Sequence, residues 1–339
     1  MRFITKNIAK LDSLIRNSEK ISIVTHYNPD GDAIGSGAAM YHYVKSLDKQ
    51  ATFIIPNPFP KNIEFAVEDV EYLIAERTFK QAKQTVLDSD LLLVVDMNNN
   101  ARSGDGLERV LNESSAKKVL IDHHVKPDKY DLSFSYPKSS SSSEVVYNIL
   151  SRLTKQKVLS KEISTALYLG IITDTGSIAY SSDDPDVYSV LHYVLKSGII
   201  ASKLHQKIFD TYSFDRLKLL GYAISHKMKV FLKQRAAFIY LSKKELNRFH
   251  YKIGDLEGVV NYCLKLGEVD FCAMLTERED KIRISFRSKD ASINVDKFAR
   301  KYWNGGGHVM ASGGKSYESL DKVVKTLTQQ IYNQDFISK

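Results

Sequence analysis

Aspartate and histidine residues lie in four groups between positions 26 and 174, at spacings that suit metal binding. The first group is a histidine with two aspartates, the second a single aspartate, the third an Asp-His-His triplet and the fourth a single aspartate. In chain order these residues are His26, Asp30, Asp32, Asp96, Asp122, His123, His124 and Asp174. Their carboxylate oxygens and imidazole nitrogens are enough to hold two divalent cations. We therefore predict a dinuclear metal site.

Three of these groups follow short apolar segments with the pattern of buried parallel strands. The segments are residues 21–25, 91–95 and 118–121. In an open α/β sheet the carboxyl ends of the strands line the ligand crevice, so groups that are distant in sequence meet there. The alternative for Asp30 and Asp32 is a local role as N-caps of the following helix. The agreement of four groups favours the metal site.

The charges in the predicted site also fit two metal ions. Four of its aspartates, Asp30, Asp32, Asp96 and Asp174, carry four negative charges, which would raise one another's pKa values unless cations neutralise them. A hydroxide that bridges metals about 3.5–4 Å apart can attack a phosphorus centre in line, as in two-metal phosphatases and nucleases. Because carboxylates dominate and the set contains no thiolate, manganese or magnesium is favoured, iron is an alternative and zinc is less favoured.

The motifs of the N-terminal half resemble those of the DHH phosphoesterase superfamily. Residues 26–36 (HYNPDGDAIGS) resemble its first motif, and the Asp-His-His triplet is the one that names the family. Asp96 with Arg102 and Gly104 resembles the second motif, and residues 170–176 (GIITDTG) resemble the fourth. Several motifs in the same order are far more specific than any one of them.

Two further motifs near the C-terminus resemble the DHH-associated C-terminal domain. They are residues 285–288 (SFRS) and 305–308 (GGGH). The resemblance therefore covers almost the whole chain, and it is greatest for the nano-RNase/pAp-phosphatase group. It implies hydrolysis of very short oligoribonucleotides from an end and removal of the 3′-phosphate of adenosine 3′,5′-bisphosphate.

The resemblance also implies a role for each site residue. One metal would be held by His26, Asp30 and Asp96, and the other by Asp32, Asp96, His123 and Asp174. Asp96 would bridge the two ions, and Asp122 would orient a histidine. His124 would face the substrate phosphate, as a hydrogen-bond donor or a proton source, and its protonation state is open. His124 and Asp96 are the two predicted catalytic residues. The implied substrate-binding residues are Arg102, His124, Arg287, Ser288, Gly306, Gly307 and His308.

One segment departs from the family pattern. Asp96 is followed by a methionine and three asparagines, where relatives more often have small hydroxyl and acidic residues. The ligand itself is retained. We expect the departure to affect packing around the bridging aspartate and substrate preference rather than the chemistry.

A neutral metal centre holds an anionic substrate weakly, so a second anion-binding element is expected. Arg287 lies in an alternating strand-like segment, and its planar guanidinium suits bidentate phosphate contact. Gly305, Gly306 and Gly307 permit positive φ angles and an anion-accepting nest, and His308 follows directly. The alternatives are a solvated charge for Arg287 and a flexible turn for the glycines. We expect these groups to clamp short nucleotides in a cleft between two domains.

Composition fits an enzyme that acts on polyanions. The net charge of +8 and the pI near 9.1 suit attraction of phosphorylated substrates. The lysines are scattered without the continuous basic stripe that duplex binding needs, so short single-stranded RNA and nucleotides are the expected partners. We expect no membrane segment, because no apolar run is long enough. Cys263 and Cys272 indicate neither a disulfide framework nor a zinc site, which favours the cytoplasm. A homodimer is one option for the oligomeric state.

The predicted fold is α/β with two domains and an active site in the cleft between them. Residues 1–205 would form a doubly wound parallel sheet with helices on both faces, after an amphipathic helix that opens at residues 1–6. Residues 206–232 would be a helical linker, and residues 233–339 a smaller α/β domain that begins with a strand at 236–241.

The serine run before residue 144 is predicted to be a helix entrance close to the site. Ser141 and Glu144 have the spacing of a capping box ahead of a helical pattern. Low complexity is the other interpretation of the five consecutive serines.

The sequence thus predicts a manganese-dependent phosphoesterase for nano-RNA and adenosine 3′,5′-bisphosphate, with Arg287 and the metals stabilising the transition-state charge. Two other hydrolase functions stay open: cleavage of linear dinucleotides from cyclic-dinucleotide turnover, and cleavage of polyphosphate. A noncatalytic nucleotide-binding protein is the alternative outside enzymes, although every predicted metal ligand is present.

Overall fold

The computed structural model describes residues 5–180 and 183–337. The chain divides into two compact units, Met1–Thr211 and Tyr212–Lys339. Of the helix expected from residue 1, the described part is α1, Thr5–Arg16, and residues 1–4 lie outside the described part. Among the described residues, no helix is both long and apolar enough to cross a membrane.

The first unit contains a six-stranded sheet in which every neighbouring pair of strands is parallel. Its strands are β1 Lys20–Val24, β2 Gln50–Ile55, β3 Tyr72–Ile74, β4 Leu91–Val95, β5 Lys117–Asp122 and β6 Leu132–Ser135. The order is β3-β2-β1-β4-β5-β6, so the direction of winding reverses between β1 and β4. In such sheets ligands bind beyond the carboxyl ends of the strands at this switch point.

Helices cover both faces of this sheet, which confirms the predicted doubly wound fold. They are α1, α2 Gly31–Lys45, α3 Phe79–Leu87, α4 Asp105–Glu113, α5 Ser142–Leu153, α6 Lys161–Asp174, α7 Pro185–Lys196 and α8 Ala201–Phe209. Ile23 and Leu93 face a core shared with α2, α5 and α6, whereas Leu92 and Val94 face a core shared with α3 and α4. Because alternate residues of a central strand are buried on opposite faces, β4 is apolar throughout.

The second unit contains a mixed six-stranded sheet. Its strands are β7 Met228–Phe231, β8 Ala236–Leu241, β9 Phe271–Glu277, β10 Ile282–Ser288, β11 Gly306–Gly307 and β12 Ala311–Ser316, in the order β11-β12-β10-β9-β8-β7. Only the β8–β9 pair is parallel among the pairs described. The helices are α9 Phe214–His226, α10 Lys243–Arg248, α11 Val295–Tyr302 and α12 Leu320–Tyr332, with a 3₁₀ helix at Val259–Lys265. Helices α11 and α12 cover one face, and α9, α10 and the 3₁₀ helix cover part of the other.

Two details of the second unit differ from the sequence prediction. The strand predicted at 236–241 is present as β8, but it is not the first, because β7 precedes it. β7 has only four residues and lies partly exposed at the sheet edge, so it lacks the apolar run that identifies a buried strand. The helix expected in the linker is α9, whose Leu219 and Ala223 are buried in the core of the second unit. The functional domain boundaries and the cleft stay predictions.

Candidate metal centre

The predicted ligands of the first unit lie around the carboxyl ends of β1, β4 and β5. His26 lies two residues beyond β1, Asp96 directly follows β4, and Asp122 is the last residue of β5. Asp30 is the N-cap of α2, and Asp174 is the last residue of α6. Segments of very different sequence position therefore meet at the switch point.

Asp96 occupies the centre of the cluster in an unusual backbone conformation. Its φ angle is 55°, in the left-handed region that few residues other than glycine adopt. Its N–H donates to the Ile121 carbonyl oxygen at 3.0 Å, which holds the residue against β5. Conformations of this kind cost free energy and are concentrated at functional sites. The turn directs a carboxylate that is only 2% exposed into the space between β1 and β5.

One oxygen of Asp96 faces a first group of candidate ligands. His26 Nε2 lies 3.3 Å from Asp96 Oδ2 and 3.9 Å from Asp30 Oδ1. One ligand atom from each of the three residues lies within 4.8 Å of the others, which could hold a metal ion. His26 Nδ1 lies 3.0 Å from the Tyr27 carbonyl oxygen, so Nδ1 is the donor and Nε2 has its lone pair available for a cation.

The other oxygen of Asp96 faces a second group. His123 Nε2 lies 3.4 Å from Asp174 Oδ2, 3.7 Å from Asp96 Oδ1 and 3.9 Å from Asp32 Oδ2. His123 Nδ1 lies 3.2 Å from the Ser139 carbonyl oxygen, which again leaves Nε2 to face the carboxylates. The two oxygens of Asp96 thus face different groups, which is the geometry a bridging ligand requires.

The start of α5 holds Asp32 and Asp96 in place. The backbone N–H groups of Ser142 and Ser143 donate to the two oxygens of Asp32 at 2.6 and 2.9 Å. The Ser142 hydroxyl donates to Asp96 Oδ1 at 2.9 Å. These are the free N–H groups of a helix N-terminus, where a negative charge is favoured. The serine run predicted a helix entrance near the site, but it did not predict these contacts with Asp32 and Asp96.

Glu144 stabilises the same segment from the buried side. Its Oε2 accepts hydrogen bonds from the Ser140 backbone N–H at 2.7 Å and from the Ser140 hydroxyl at 2.8 Å. Ser141 caps the helix by accepting from the Glu144 N–H, so half of the predicted capping box is present. In a complete capping box the Glu144 carboxylate would accept the Ser141 backbone N–H, but here it accepts from Ser140 instead.

The start of α5 also packs closely against α6. A Cβ atom on Gly170 of α6 would overlap the Ser143 hydroxyl, so this packing requires glycine there.

The Asp122 carboxylate contacts His124. Its Oδ1 lies 2.8 Å from His124 Nδ1, and its Oδ2 accepts the His124 backbone N–H at 3.0 Å. The Asp122 side chain is fully buried. The contact fixes the orientation of the His124 ring.

The three asparagines after Asp96 brace a loop that carries Arg102. Asn99 Oδ1 accepts the Arg102 N–H at 3.1 Å, and the Arg102 carbonyl oxygen accepts the Tyr27 N–H at 2.6 Å. Asn98 Nδ2 donates to the Val125 carbonyl oxygen at 2.6 Å, which links this loop to the one after β5. Arg102 Nη1 is buried and has no hydrogen-bond partner among the described residues. An unpaired buried guanidinium nitrogen is expected to bind an anion.

The site has strongly perturbed pKa values. Burial, followed by the charges of Asp96 and Asp174, raises the pKa of Asp32 well above its usual range. Burial also opposes ionisation of Asp96, but the hydrogen bond from His26 and the charges of nearby histidines lower the pKa of Asp96. Burial lowers the pKa of His123, yet Asp174, Asp32 and Asp96 outweigh it and raise that pKa to about 9. Negative charge is thus in excess, which divalent cations would neutralise.

The two remaining histidine pKa values shift in opposite directions. Burial lowers the pKa of His26, but the hydrogen bond to Asp96 and the charge of Asp30 leave it raised. For His124, burial outweighs the contact with Asp122 and leaves its pKa lowered.

The predicted substrate residues of the second unit lie around β10 and β11. Arg287 Nη1 donates to the Phe286 carbonyl oxygen at 2.9 Å. The buried Ser288 hydroxyl lies 2.9 Å from the Ile293 carbonyl oxygen, so it is engaged within the unit. His308 donates its N–H to the Ala311 carbonyl oxygen at 2.8 Å, in the turn that joins β11 to β12.

The glycine triplet forms part of a strand rather than an open nest. Gly306 and Gly307 pair with β12, and the Gly307 N–H donates to Asp296 Oδ1 at 2.8 Å. A Cβ atom on Gly305 would overlap the Gly313 carbonyl oxygen. Glycine is therefore required by close strand packing, a reason that the sequence pattern did not reveal.

Comparison with known families and proteins agrees with these observations. The profile of the DHH family, N-terminal domain, matches residues 20–171, and that of the DHHA1 domain matches residues 237–333. A Streptococcus mutans protein described as a probable bifunctional oligoribonuclease and PAP phosphatase is 29% identical over 305 residues, which are 89% of this chain and 91% of the relative. A Bacillus subtilis protein described as a bifunctional oligoribonuclease and PAP phosphatase is 27% identical over 316 residues, 91% of this chain and 94% of the relative.

A solved structure is similar to nearly the whole chain. It is the crystal structure of an exopolyphosphatase-related protein from Bacteroides fragilis, with 34% sequence identity and a TM-score of 0.91. The similarity covers 97% of this chain and 96% of that one.

Proposed function

We propose that the chain, which belongs to the DHH family and carries a DHHA1 domain, is a metal-dependent phosphoesterase of nucleotides. Its substrates would be short oligoribonucleotides, cleaved to mononucleotides, and adenosine 3′,5′-bisphosphate, converted to AMP. Relatives in two bacteria that are similar over about nine-tenths of their length are described by these two activities.

The placement of Asp96 between two groups of ligands carries this proposal. We propose that His26, Asp30 and Asp96 hold one divalent cation. Asp96 would share the other with Asp32, His123 and Asp174. When bound, such cations polarise the phosphate and make a water nucleophile available at neutral pH. Manganese is the proposed metal, and magnesium and iron are the alternatives, because the ligand set is rich in carboxylates.

The protein's own groups would orient the substrate and manage protons. Arg102, whose Nη1 is buried without a partner among the described residues, would bind a phosphate oxygen. His124, held through Nδ1 by Asp122, would present Nε2 to the phosphate, and in its protonated form it would donate from Nε2–H to the leaving oxygen. Arg287 and His308, with Gly306, Gly307 and Ser288 beside them, would bind the rest of the nucleotide. Charge that develops on the phosphate would then meet preorganised donors.

Polyphosphate hydrolysis is the second candidate function. The observation in its favour is the similarity to the Bacteroides fragilis structure, which is described as exopolyphosphatase-related. Polyphosphate would be cleaved at a phosphoanhydride and the nucleotides at a phosphoester, and only the nucleotides carry a base and a ribose. Turnover of each substrate, measured in parallel, therefore separates the two functions.

Reduced thiols support a cytoplasmic location. Cys263 and Cys272 are buried and free. Proteins of oxidising compartments more often pair such cysteines, so we propose that the chain functions in the cytoplasm.

The decisive experiment offers several substrates in parallel to the purified protein with manganese. They are adenosine 3′,5′-bisphosphate, a 5′-phosphorylated diribonucleotide, a long RNA and polyphosphate. We expect turnover of the first two with little of the others. Turnover of polyphosphate alone would establish the second candidate, and turnover of nothing would contradict both.

A further inference from the structure

One half of a sheet face in the second unit is left uncovered and is basic. Arg283 on β10 lies directly opposite Lys315 on β12. The alternate residues Ile282 and Ile284 are buried under α11 and α12, so the pleat places Arg283 on the other face. Arg283 and Lys315 are both exposed, and Gly313, opposite Ser285 and two residues from Lys315, has no side chain to cover the backbone. The face is therefore open and flat here.

A third cation lies beside this pair. Arg278 follows β9 in the hairpin that leads to β10, and its N–H donates to the Lys281 carbonyl oxygen at 2.8 Å. Tyr251 holds the guanidinium of Arg278, through a hydrogen bond of 2.8 Å from Nη2 to its hydroxyl and through its ring, 4.5 Å away. Partial desolvation and then the charge of Arg278 lower the pKa of Arg283, which shows that the two guanidinium groups influence each other.

Like charges on facing strand positions destabilise a sheet. The cost is usually relieved by an acidic neighbour. Tyr251 and Glu257 raise the pKa of Arg283, but by less than desolvation and Arg278 lower it. Within residues 5–180 and 183–337, no hydrogen bond or ion pair involves the side chain of Arg283 or Lys315. A bound anion would relieve the repulsion.

An exposed aromatic ring lies at the end of the same row. Tyr317 is 67% exposed, and its ring centroid lies 6.0 Å from Lys315 Nζ. Exposed rings beside cations are typical of surfaces that bind single-stranded nucleic acid, because the ring stacks on a base while the cations contact phosphates. Polyphosphate would use the cations alone.

Arg287 lies on the same strand, four residues from Arg283, and an even spacing places both on one face. The separation along the strand is about 13 Å. Adjacent phosphates of one strand are closer together than that, so a phosphate at Arg283 would belong to a more distant nucleotide than one at Arg287.

We propose that Arg278, Arg283, Lys315 and Tyr317, here called the basic strip, bind the distal nucleotides of oligoribonucleotides longer than two residues. This inference rests on the proposed function and specifies its substrate class: the strip would extend recognition beyond the dinucleotide and leave adenosine 3′,5′-bisphosphate unaffected. Its members come from three segments, so no basic run in the sequence indicates it.

Binding of labelled RNA to the full chain tests the strip without turnover. Fluorescence anisotropy in EDTA would compare a diribonucleotide with a tetraribonucleotide, for the wild type and for the Arg283→Gln/Lys315→Gln double variant. We expect the double variant to bind the tetranucleotide about tenfold more weakly, because it loses two charged contacts, and the dinucleotide equally well. The slope of log Kd against log salt for the tetranucleotide should fall by about 1.4, or 0.7 for each phosphate contact.

Two further variants make the result specific. Lys233→Gln removes one positive charge near β7 at the opposite edge of the sheet, and it should leave both affinities unchanged. Tyr317→Ser should weaken tetranucleotide binding severalfold and leave polyphosphate binding unchanged. Equal weakening of both would overturn the assignment to oligonucleotides. All four positions are exposed, so thermal unfolding should confirm that the variants are folded.

The outcomes separate this inference from the proposed function. The strip is refuted if the wild type does not prefer the tetranucleotide, or if the double variant retains that preference or loses dinucleotide binding equally. The proposed function is judged by turnover with manganese of the wild type. A chain that binds as expected but hydrolyses neither nucleotide substrate would keep the strip and lose the proposed function.

Discussion

Two carboxylate environments, one in each unit, show opposite designs. In the second unit, Glu245 Oε1 accepts from the Tyr222 hydroxyl and from Lys227 Nζ, each at 2.7 Å. Its Oε2 accepts from the backbone N–H and the hydroxyl of Ser242, each at 2.8 Å. In the first unit, Asp32, Asp96 and Asp174 face one another around His123.

The pKa values follow this difference. Burial opposes ionisation of Glu245, but Lys227, Ser242 and Tyr222 lower its pKa to about 2. Burial and neighbouring carboxylates raise the pKa of Asp32. Glu245 is paired with a cation of the protein itself, whereas Asp32, Asp96 and Asp174 face one another, as is expected of carboxylates that hold a metal ion. The perturbed pKa values in the first unit indicate a functional site, and this inference does not depend on the relatives.

The largest effect should come from Asp96→Asn. The substitution preserves shape but removes the charge shared by both groups of ligands, so kcat/KM for adenosine 3′,5′-bisphosphate should fall about a thousandfold or more. Steady-state kinetics with manganese measure it. Asp12→Asn, which removes a surface charge beside Arg16, is the matched control and should retain full activity. Full activity of Asp96→Asn would exclude the bridging role.

A smaller loss should follow Ser142→Ala. The hydroxyl donates to Asp96 without belonging to the predicted ligands, and loss of such a contact costs about 10–100-fold in metal affinity. Titration of activity with manganese would show a higher half-saturating concentration, with kcat recovering at saturation. Ser151→Ala, on the same helix and bonded only to the Asn148 carbonyl in the described structure, should bind metal normally. Unchanged half-saturation in Ser142→Ala would refute the positioning role.

Manganese should stabilise the wild type against unfolding. At a concentration one hundred times Kd, the gain in the free energy of unfolding is about 2.7 kcal/mol, because only the folded chain holds the ligands together. Thermal unfolding with and without EDTA measures the shift in Tm. Glu245→Gln should keep the shift and Asp96→Asn should lose it. A shift of equal size in Asp96→Asn would place the metal elsewhere.

The smallest effect should be that of Glu245→Gln, which tests the carboxylate of the second unit. The folded pKa of about 2 lies below the ordinary 4.5, so ionised Glu245 stabilises the fold above pH 4.5 and this contribution is lost as pH falls towards 2. The variant should lose about 2 kcal/mol at pH 7, measured by denaturant unfolding, and should be less sensitive to acid over that range.

Activity should be unaffected by that change. Glu279→Gln, which breaks an exposed ion pair with Lys243, is the control and should cost less than about 1 kcal/mol. Equal losses in the two variants would show that the network around Glu245 is no stronger than a surface pair.

The candidate ligands of the first unit could be found from sequence because each follows a recognisable strand or helix boundary. His26, Asp96 and Asp122 come after apolar runs, and parallel strands bring their carboxyl ends together by topology alone. Contacts made by backbone groups could not be found in this way. The N–H groups of Ser142 and Ser143 reach Asp32 only because α5 begins at that point and in that direction.

The second unit also has some features that the sequence predicted and others that it did not. Its strand at 236–241 was predictable from an apolar run, whereas β7 was not, because a short edge strand needs no continuous burial. The glycines at 305–307 suggested an anion nest, but strand pairing with β12 explains them. Arg283 and Lys315 are 32 positions apart in sequence, and only antiparallel register makes them neighbours.

The sequence by itself determined the residue types of the candidate metal site, their order and the strands that carry them, since these depend on local pattern and on the topology of parallel sheets. Only the tertiary structure decided which oxygen of Asp96 faces which histidine, which helix start holds Asp32 and which cations share a surface. Those properties depend on hydrogen-bond direction, side-chain orientation and strand register. They arise only when distant segments pack together.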